Sequence, residues 1–426
     1  MKVLVVGGGG REHALCWRLA QDPTVTRVLA APGNAGIATS AECFPSVAAD
    51  DVNALVNLVD QQDVDLTVVG PEVPLVAGLS DELRRRGRDV FGPSAAAARI
   101  EGSKAFAKEV MQRRGVPTAR SGVFDDPEKA TAFVDELGGT AVIKADGLAA
   151  GKGVTVATDR DAAVAALDQS LVEGAFGDAG TTIVVEEVLE GPEVSVFAVT
   201  DGDGNCVLLD AAQDAKRVGD GDTGPNTGGM GAFSPVPALA PEMATRILET
   251  VLAPVIDELR PYRGVLFAGM MLTPDGPKVL EFNCRFGDPE TQVLAPRMPY
   301  RVGTLLHACA TGRLAAEAGH AGFDDGAAVT VVLASEGYPG SYECGRPITG
   351  VDAADAIEGV TVFHAGTARD GDGRLVTAGG RVLSVTGTGV SLAQARDRAY
   401  AGVAEIHFEG MHFRTDIAAA AAGEAA

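Results

Sequence analysis

Residues Lys2–Asp22 read KVLVVGGGGREHALCWRLAQD: a β-branched apolar run, four glycines, then Ala14, Leu15 and Leu19 at helical spacing. That is a strand, a tight turn and a helix. The alternation continues through VTRVLAAPGN (25–34), VNALVNLVDQQ (52–62), DLTVVGPE (65–72), LSDELRRRG (79–87) and DVFGP (89–93). Strands alternating with helices predict a doubly wound parallel sheet, in which ligands sit beyond the carboxyl ends of the strands. Three of those ends carry the loops GGGGREH, APGNAG and GPE.

Beyond residue 103 the pattern changes. Residues 94–114 read as helices, while IVVEEVLEGPEVSVFAV (183–199), LLDAAQDAKRV (208–218) and VLFAGMMLT (265–273) read as strands separated by turn signals. This predicts an α+β region over 104–327. A third region, 328–426, offers strands at 328–335, 361–367 and 380–387, a helix at 391–406, and an Ala-rich tail expected to fray. The expected architecture is α/β and α+β multidomain: a doubly wound parallel amino-terminal domain, a central region, and a small α+β carboxy-terminal domain.

The chain of 426 residues has a formal charge of −23, which argues against nucleic acid or an anionic membrane as partner, since both are bound through basic patches. Any anionic ligand must meet a local cluster of Lys, Arg and backbone N–H groups. Six scattered cysteines without CxxC spacing fit a reduced, cytoplasmic setting. No signal peptide or apolar membrane span is read in the sequence.

Two glycine-rich loops invite nucleotide readings and fail them. After Gly7 and Gly9 the third Rossmann glycine would fall at Glu12, and no acidic residue closes the second strand. In KADGLAAGKG (144–153) only three residues separate Gly147 from Gly151, and Gly153 stands where a P-loop needs Ser or Thr. Each can still offer N–H groups or, with Lys144 and Lys152, point charges to phosphate. A structural turn explains either loop equally well in isolation.

The stretch VLEFNCRFGDPET (279–291) is harder to explain without chemistry. Glu281 and Asn283 alternate with Phe282, so they share a strand face and present hard oxygen ligands of the kind Mg²⁺ takes beside nucleotide phosphates. Arg285 falls on the same face if the strand continues. The segment 213–235, QDAKRVGDGDTGPNTGGMGAFSP, reads as a long functional loop. The six histidines read as structural.

These motifs in this order, together with EGSKAFAK (101–108) and with RFGDPETQ (285–292) and GPNTGGMG (224–231) the most specific, closely resemble the glycinamide ribonucleotide synthetase family of the ATP-grasp superfamily over residues 1–416. The resemblance implies central ATP-grasp domains with a mobile lid at about 120–190. It also implies ATP-dependent ligation of glycine to 5-phosphoribosylamine through glycyl phosphate, with Mg²⁺ or Mn²⁺. By the same resemblance Lys104 and Lys144 reach the phosphates, with Lys144 and Arg285 catalytic. Gly147, Gly151, Lys152 and Gly153 form the flap, Glu186, Glu187, Val188 and Leu189 line adenine, and Glu193 meets the ribose. Glu281 and Asn283 hold the metal. Gly8, Gly9, Gly10, Arg11, Asn34, Glu72, Asp214, Lys216, Arg217 and Asp288 form the glycine and ribosylamine pockets.

Two departures stand out. Ala215 occupies a position where relatives usually carry His or an aromatic residue, and FAGMM (267–271) lacks the extra acidic ligand of many ATP-grasp enzymes. A carboxylase or transformylase of the superfamily, or a catalytically dead nucleotide sensor, would share the fold; the first two lack the GPNTGGMG loop and the third would lose Glu281, Asn283 or Arg285. The resemblance implies a monomer and leaves room for transient contact with the amidophosphoribosyltransferase of the preceding step.

Overall fold

The computed structural model describes residues 1–148, 153–317 and 322–423. The opening stretch forms a strand, Lys2–Gly7, and a helix, Gly10–Ala20. The strand lies at the centre of a five-stranded parallel sheet in the order Glu42–Cys43, Arg27–Pro32, Lys2–Gly7, Leu66–Val69, Val90–Phe91. Because helices cover both faces, Val3, Leu4, Val5 and Val6 are all fully buried, which is why this strand reads as an unbroken apolar run.

The turn after that strand is built around one carboxylate. Glu12, 2% exposed, accepts from Gly9 N at 2.7 Å to cap the helix and from Arg11 Nε at 2.6 Å. Gly7 has φ +123°, and a Cβ there would lie 2.6 Å from Glu12 Cγ; a Cβ on Gly70 would also collide with Glu12. The glycines are needed for conformation and for room around a buried acid.

A four-stranded antiparallel sheet follows, in the order Ser121–Phe124, Ile183–Glu186, Ala141–Ala145, Val154–Ala157, backed by helices Pro127–Glu136 and Arg160–Leu171. It has its own core, including Val134, Ile143, Leu167, Ile183 and Val185. The next antiparallel sheet runs Cys206–Leu208, Glu193–Asp201, Arg263–Thr273, Gly276–Asn283. The last contains Gln213–Asp214, Gly231–Ser234, Ala327–Ser335, Arg381–Gly389 and Val360–His364, with helix Leu392–Glu405 packed on it.

Two expectations change. The segment 213–235 is no structureless loop: Arg217–Gly219 and Thr223–Asn226 form a small hairpin, and its flanking strands join the sheet of residues 327–389. The hairpin strands, RVG and TGPN, are too short and too poor in apolar residues for any period to betray them. Nor does the tail fray wholly, since Ile417 and Ala418 are buried in the carboxy-terminal core and Ala419–Ala422 forms a helical turn.

Replacing Glu12 removes a helix cap and leaves Arg11 buried without its partner. Glu12→Ala is expected to lower the unfolding free energy by about 3 kcal/mol in urea titrations. A loss below about 0.5 kcal/mol would show that the turn does not depend on it.

Candidate active site

The site grows from the strand Gly276–Asn283. Its register with Arg263–Thr273 slips between Gly269, opposite Glu281, and Met270, opposite Val279, so Leu280 is an extra, bulged residue. The Leu280 carbonyl accepts a hydrogen bond from Lys144 Nζ at 2.9 Å. Glu281 is exposed, Phe282 is buried beneath, and Asn283 is 8% exposed. No hydrogen bond or ion pair holds the Glu281 carboxylate among the described residues, although the positive charges of Lys104 and Lys216 act on it. Among the described residues no cluster of three or more His, Cys, Asp or Glu could cage a metal alone. A carboxylate and an amide on one strand do fit a cation that takes its remaining ligands from phosphate and water.

Three lysines converge opposite. Ser103 caps helix Lys104–Arg114, and Asp146, just past the strand Ala141–Ala145, accepts from Ser103 Oγ at 3.0 Å and Ala105 N at 2.6 Å. This ties the helix start to the strand that carries Lys144. Lys104 Nζ donates to the Gly147 carbonyl at 3.1 Å. One turn on, Lys108 pairs with Glu186 at 2.8 Å, and Lys144 pairs with the same carboxylate at 2.9 Å. Burial pushes the ammonium pKa of Lys104 and Lys108 downward, against the pull of Glu281 and Glu186 respectively. At Lys216 burial is outweighed by Asp214 and Glu193, paired at 3.0 and 2.7 Å, and its pKa stands well above the usual lysine value.

The strand does not continue to Arg285. Instead the chain turns, and the guanidinium lies between Glu72, at 3.1 Å, and Glu101, at 2.7 Å. Arg285 and Arg11 both donate to the Phe286 carbonyl. Asp288 accepts from Arg11 N at 3.3 Å and pairs with Arg381 at 3.3 Å; Arg381 also donates to the carbonyls of Asp288, at 2.7 Å, and Gly228. Burial works to raise the Asp288 pKa, but Arg381 and Arg11 prevail and hold it below the usual carboxylate value.

Two adjoining cavities, of about 400 and 470 Å³, collect most of these groups. The first holds Arg11, Glu72, Lys104, Lys144, Gly147, Gly153, Asp288, Asn283 and Arg285; the second holds Glu187, Val188, Leu189, Glu193 and Arg217; both reach Glu186, Asp214, Lys216 and Glu281. Gly8, Gly9, Gly10 and Asn34 line neither. Asn34 serves as a loop staple, donating to the carbonyls of Gly8 at 2.9 Å and His364 at 2.8 Å. Gly9 stands just behind the site, where a Cβ would approach Asp288 Oδ2 to 3.4 Å. Gly151 and Lys152 lie outside the described residues.

Sequence reading missed Glu101, Lys108, Glu290 and Arg381, all of which line the first cavity. Lys108, four residues after Lys104 on a helix, and Glu290, within RFGDPET, had a signal. Arg381 comes from a distant strand and had none.

Sequence models of the phosphoribosylglycinamide synthetase N domain, ATP-grasp (A) domain and C domain match residues 1–101, 102–291 and 328–420. The chain belongs to the phosphoribosylglycinamide synthetase family. Its relatives in this family include the phosphoribosylamine–glycine ligases of Streptomyces coelicolor, 53% identical with 99% of this chain and 100% of that one covered, and of a Nostoc strain, 51% identical over 98% and 99%. The trifunctional purine biosynthetic protein adenosine-3 of Gallus gallus is 50% identical over 98% of this chain and 42% of its own length. The Thermotoga maritima phosphoribosylamine–glycine ligase crystal structure superposes with a TM-score of 0.82 at 34% identity, covering 98% of this chain and all of that one. Biotin carboxylase from Campylobacter jejuni, at 16% identity and a TM-score of 0.74, shares the ATP-grasp fold alone.

Within this synthetase fold, Glu186 sits between two buried ammonium groups, whereas Glu187 meets Lys278 at 3.3 Å in a more open position. Glu186→Ala should therefore cost about 3–5 kcal/mol of stability, against about 1 kcal/mol or less for Glu187→Ala, both by urea unfolding. Equal losses would contradict the burial argument.

Proposed function

We propose that the chain joins glycine to 5-phosphoribosylamine with ATP, giving glycinamide ribonucleotide, ADP and phosphate through glycyl phosphate, as a carbon–nitrogen ligase of purine synthesis. What carries this reading is the convergence, in a chain of this family, of Lys104, Lys144, Arg285, Asn283 and an unpaired Glu281 on one cavity. The glycine carboxylate attacks the γ-phosphate, and the ribosylamine nitrogen then displaces phosphate from the acyl carbon. Such transfers require in-line positioning and charge neutralisation rather than a covalent nucleophile.

The division of labour is proposed residue by residue. Lys104 and Lys144 meet the phosphates, with the 147–153 segment as flap. Adenine lies against Val188 and Leu189, with Glu186 fixing the lysines; the Glu187 amide is already bonded to the Arg120 carbonyl. Glu193 meets the ribose. Glu281 and Asn283 hold Mg²⁺ or Mn²⁺, which when bound neutralises phosphate charge. Arg285, oriented by Glu72 and Glu101, meets the acyl phosphate. Asp214, Lys216, Arg217 and Asp288 line the glycine and ribosylamine pockets, with Arg11 and the Gly8–Gly10 turn behind them and Asn34 holding that turn. Residues 1–103 carry the phosphoribosyl side, 104–327 the ATP-grasp core with its lid near 120–190, and 328–426 the remaining wall. The proposed setting is a cytoplasmic monomer; among the described residues no helix is long and apolar enough to cross a membrane.

The test is ADP release with ATP, glycine and freshly generated phosphoribosylamine, each omitted in turn. Release is expected to collapse without glycine; equal release without it contradicts the reading. Glu281→Ala is expected to lower turnover at least about 100-fold with the unfolding midpoint unchanged, and retained turnover at ordinary Mg²⁺ would remove Glu281 from the site.

A further inference from the structure

Glu290 opens the short helix Glu290–Leu294 and is 4% exposed, yet it lines the cavity beside Arg285, Asp214 and Lys216. Its Oε1 accepts from Ser195 Oγ at 3.0 Å, and no ion pair holds it among the described residues. Gly287 leaves the room it occupies, since a Cβ there would lie 2.6 Å from Glu290 Cδ. The other carboxylates of this cavity are committed. Glu72 and Glu101 pair with Arg285, Glu186 with two lysines, Asp214 with Lys216 and Asp288 with Arg381. Glu281 is the metal candidate. Among the described carboxylates lining the cavity, only Glu290 is both enclosed and without an ion-pair partner.

The proposed reaction has a proton to dispose of. When the amine nitrogen bonds to the acyl carbon of glycyl phosphate, it becomes cationic; the C–O bond to phosphate breaks only productively once that nitrogen gives up a proton. We propose that the Glu290 carboxylate accepts this proton, becoming a carboxylic acid as the amide forms and phosphate departs. This rests on the ligase reading above. Geometry places the acceptor in the same cavity as the arginine assigned to the acyl phosphate, whose charge acts on it.

The surroundings suit the task. Burial raises the Glu290 pKa most, Asp214 raises it further, and Lys216, its own backbone N–H and the Ser195 hydroxyl lower it, leaving it at about 7. Arg285 and Arg381, from the elements on either side, also act on it electrostatically. A carboxyl poised there is ionised enough to accept a proton and basic enough to hold it. The active form is the carboxylate, so transfer should fall as pH drops below about 7.

Hydroxylamine separates the two chemical steps, because it captures glycyl phosphate as the hydroxamate without needing a protein base. In Glu290→Gln, ATP- and glycine-dependent hydroxamate formation is expected within about twofold of wild type, while amide formation with phosphoribosylamine drops about 100-fold. Glu290→Asp should recover part of that loss. Equal loss of both reactions in Glu290→Gln, or loss of neither, overturns the assignment. Should Glu290→Gln not fold, Ser195→Ala decides: removing a hydrogen bond to the carboxylate should move the acid limb of the transfer rate to higher pH, and an unmoved limb overturns the proposal. Absence of hydroxamate with the wild-type enzyme would instead contradict the ligase reading itself.

Discussion

The Arg285 guanidinium, clamped between Glu72 of the parallel-sheet domain and Glu101 at the entrance to the ATP-grasp region, is the contact on which the site depends. Burying such a charge is favourable only with partners on hand, and removing either would leave an ion uncompensated. The clamp fixes where the chain turns after Asn283 and so where Asp288, Glu290 and the Arg381 contact fall. It joins two sheets that share no strand.

Around that clamp the protein solves a problem of sign. A chain of charge −23 has to receive anionic substrates, and it does so by local concentration: Arg11, Lys104, Lys108, Lys144, Lys216, Arg285 and Arg381 all face one cavity. Most of the carboxylates there are spent on orienting those cations. The consequence is that an unspent carboxylate is informative. Glu281, exposed on the bulged strand, suits a cation brought with phosphate; Glu290, enclosed and without an ion-pair partner among the described residues, suits a proton.

Much of the fold was legible because burial leaves a pattern. Val3–Val6, covered on both faces, had to be an unbroken apolar run, and Ala14, Leu15 and Leu19 had to repeat with the helix. The hairpin at 217–226 was not legible, since Arg217–Gly219 and Thr223–Asn226 carry no alternating apolar pattern. At the site, Glu281 and Asn283 followed from alternation. Arg285 was expected on the same strand face, but the strand ends first and the carboxylates of Glu72 and Glu101 claim it. Lys108 had its helical spacing from Lys104 as a signal, though its partner Glu186 lies 78 positions away; Arg381 owes its place to Asp288, 93 positions away, a contact no local pattern encodes.

The most direct test of this account is where a divalent cation binds. Crystals grown with Mn²⁺ and a non-hydrolysable ATP analogue should show the anomalous manganese signal between the Glu281 carboxylate, the Asn283 amide oxygen and the analogue's phosphates. A manganese signal bound to other side chains, or an analogue seated in the cavity with neither Glu281 nor Asn283 engaged, would contradict it.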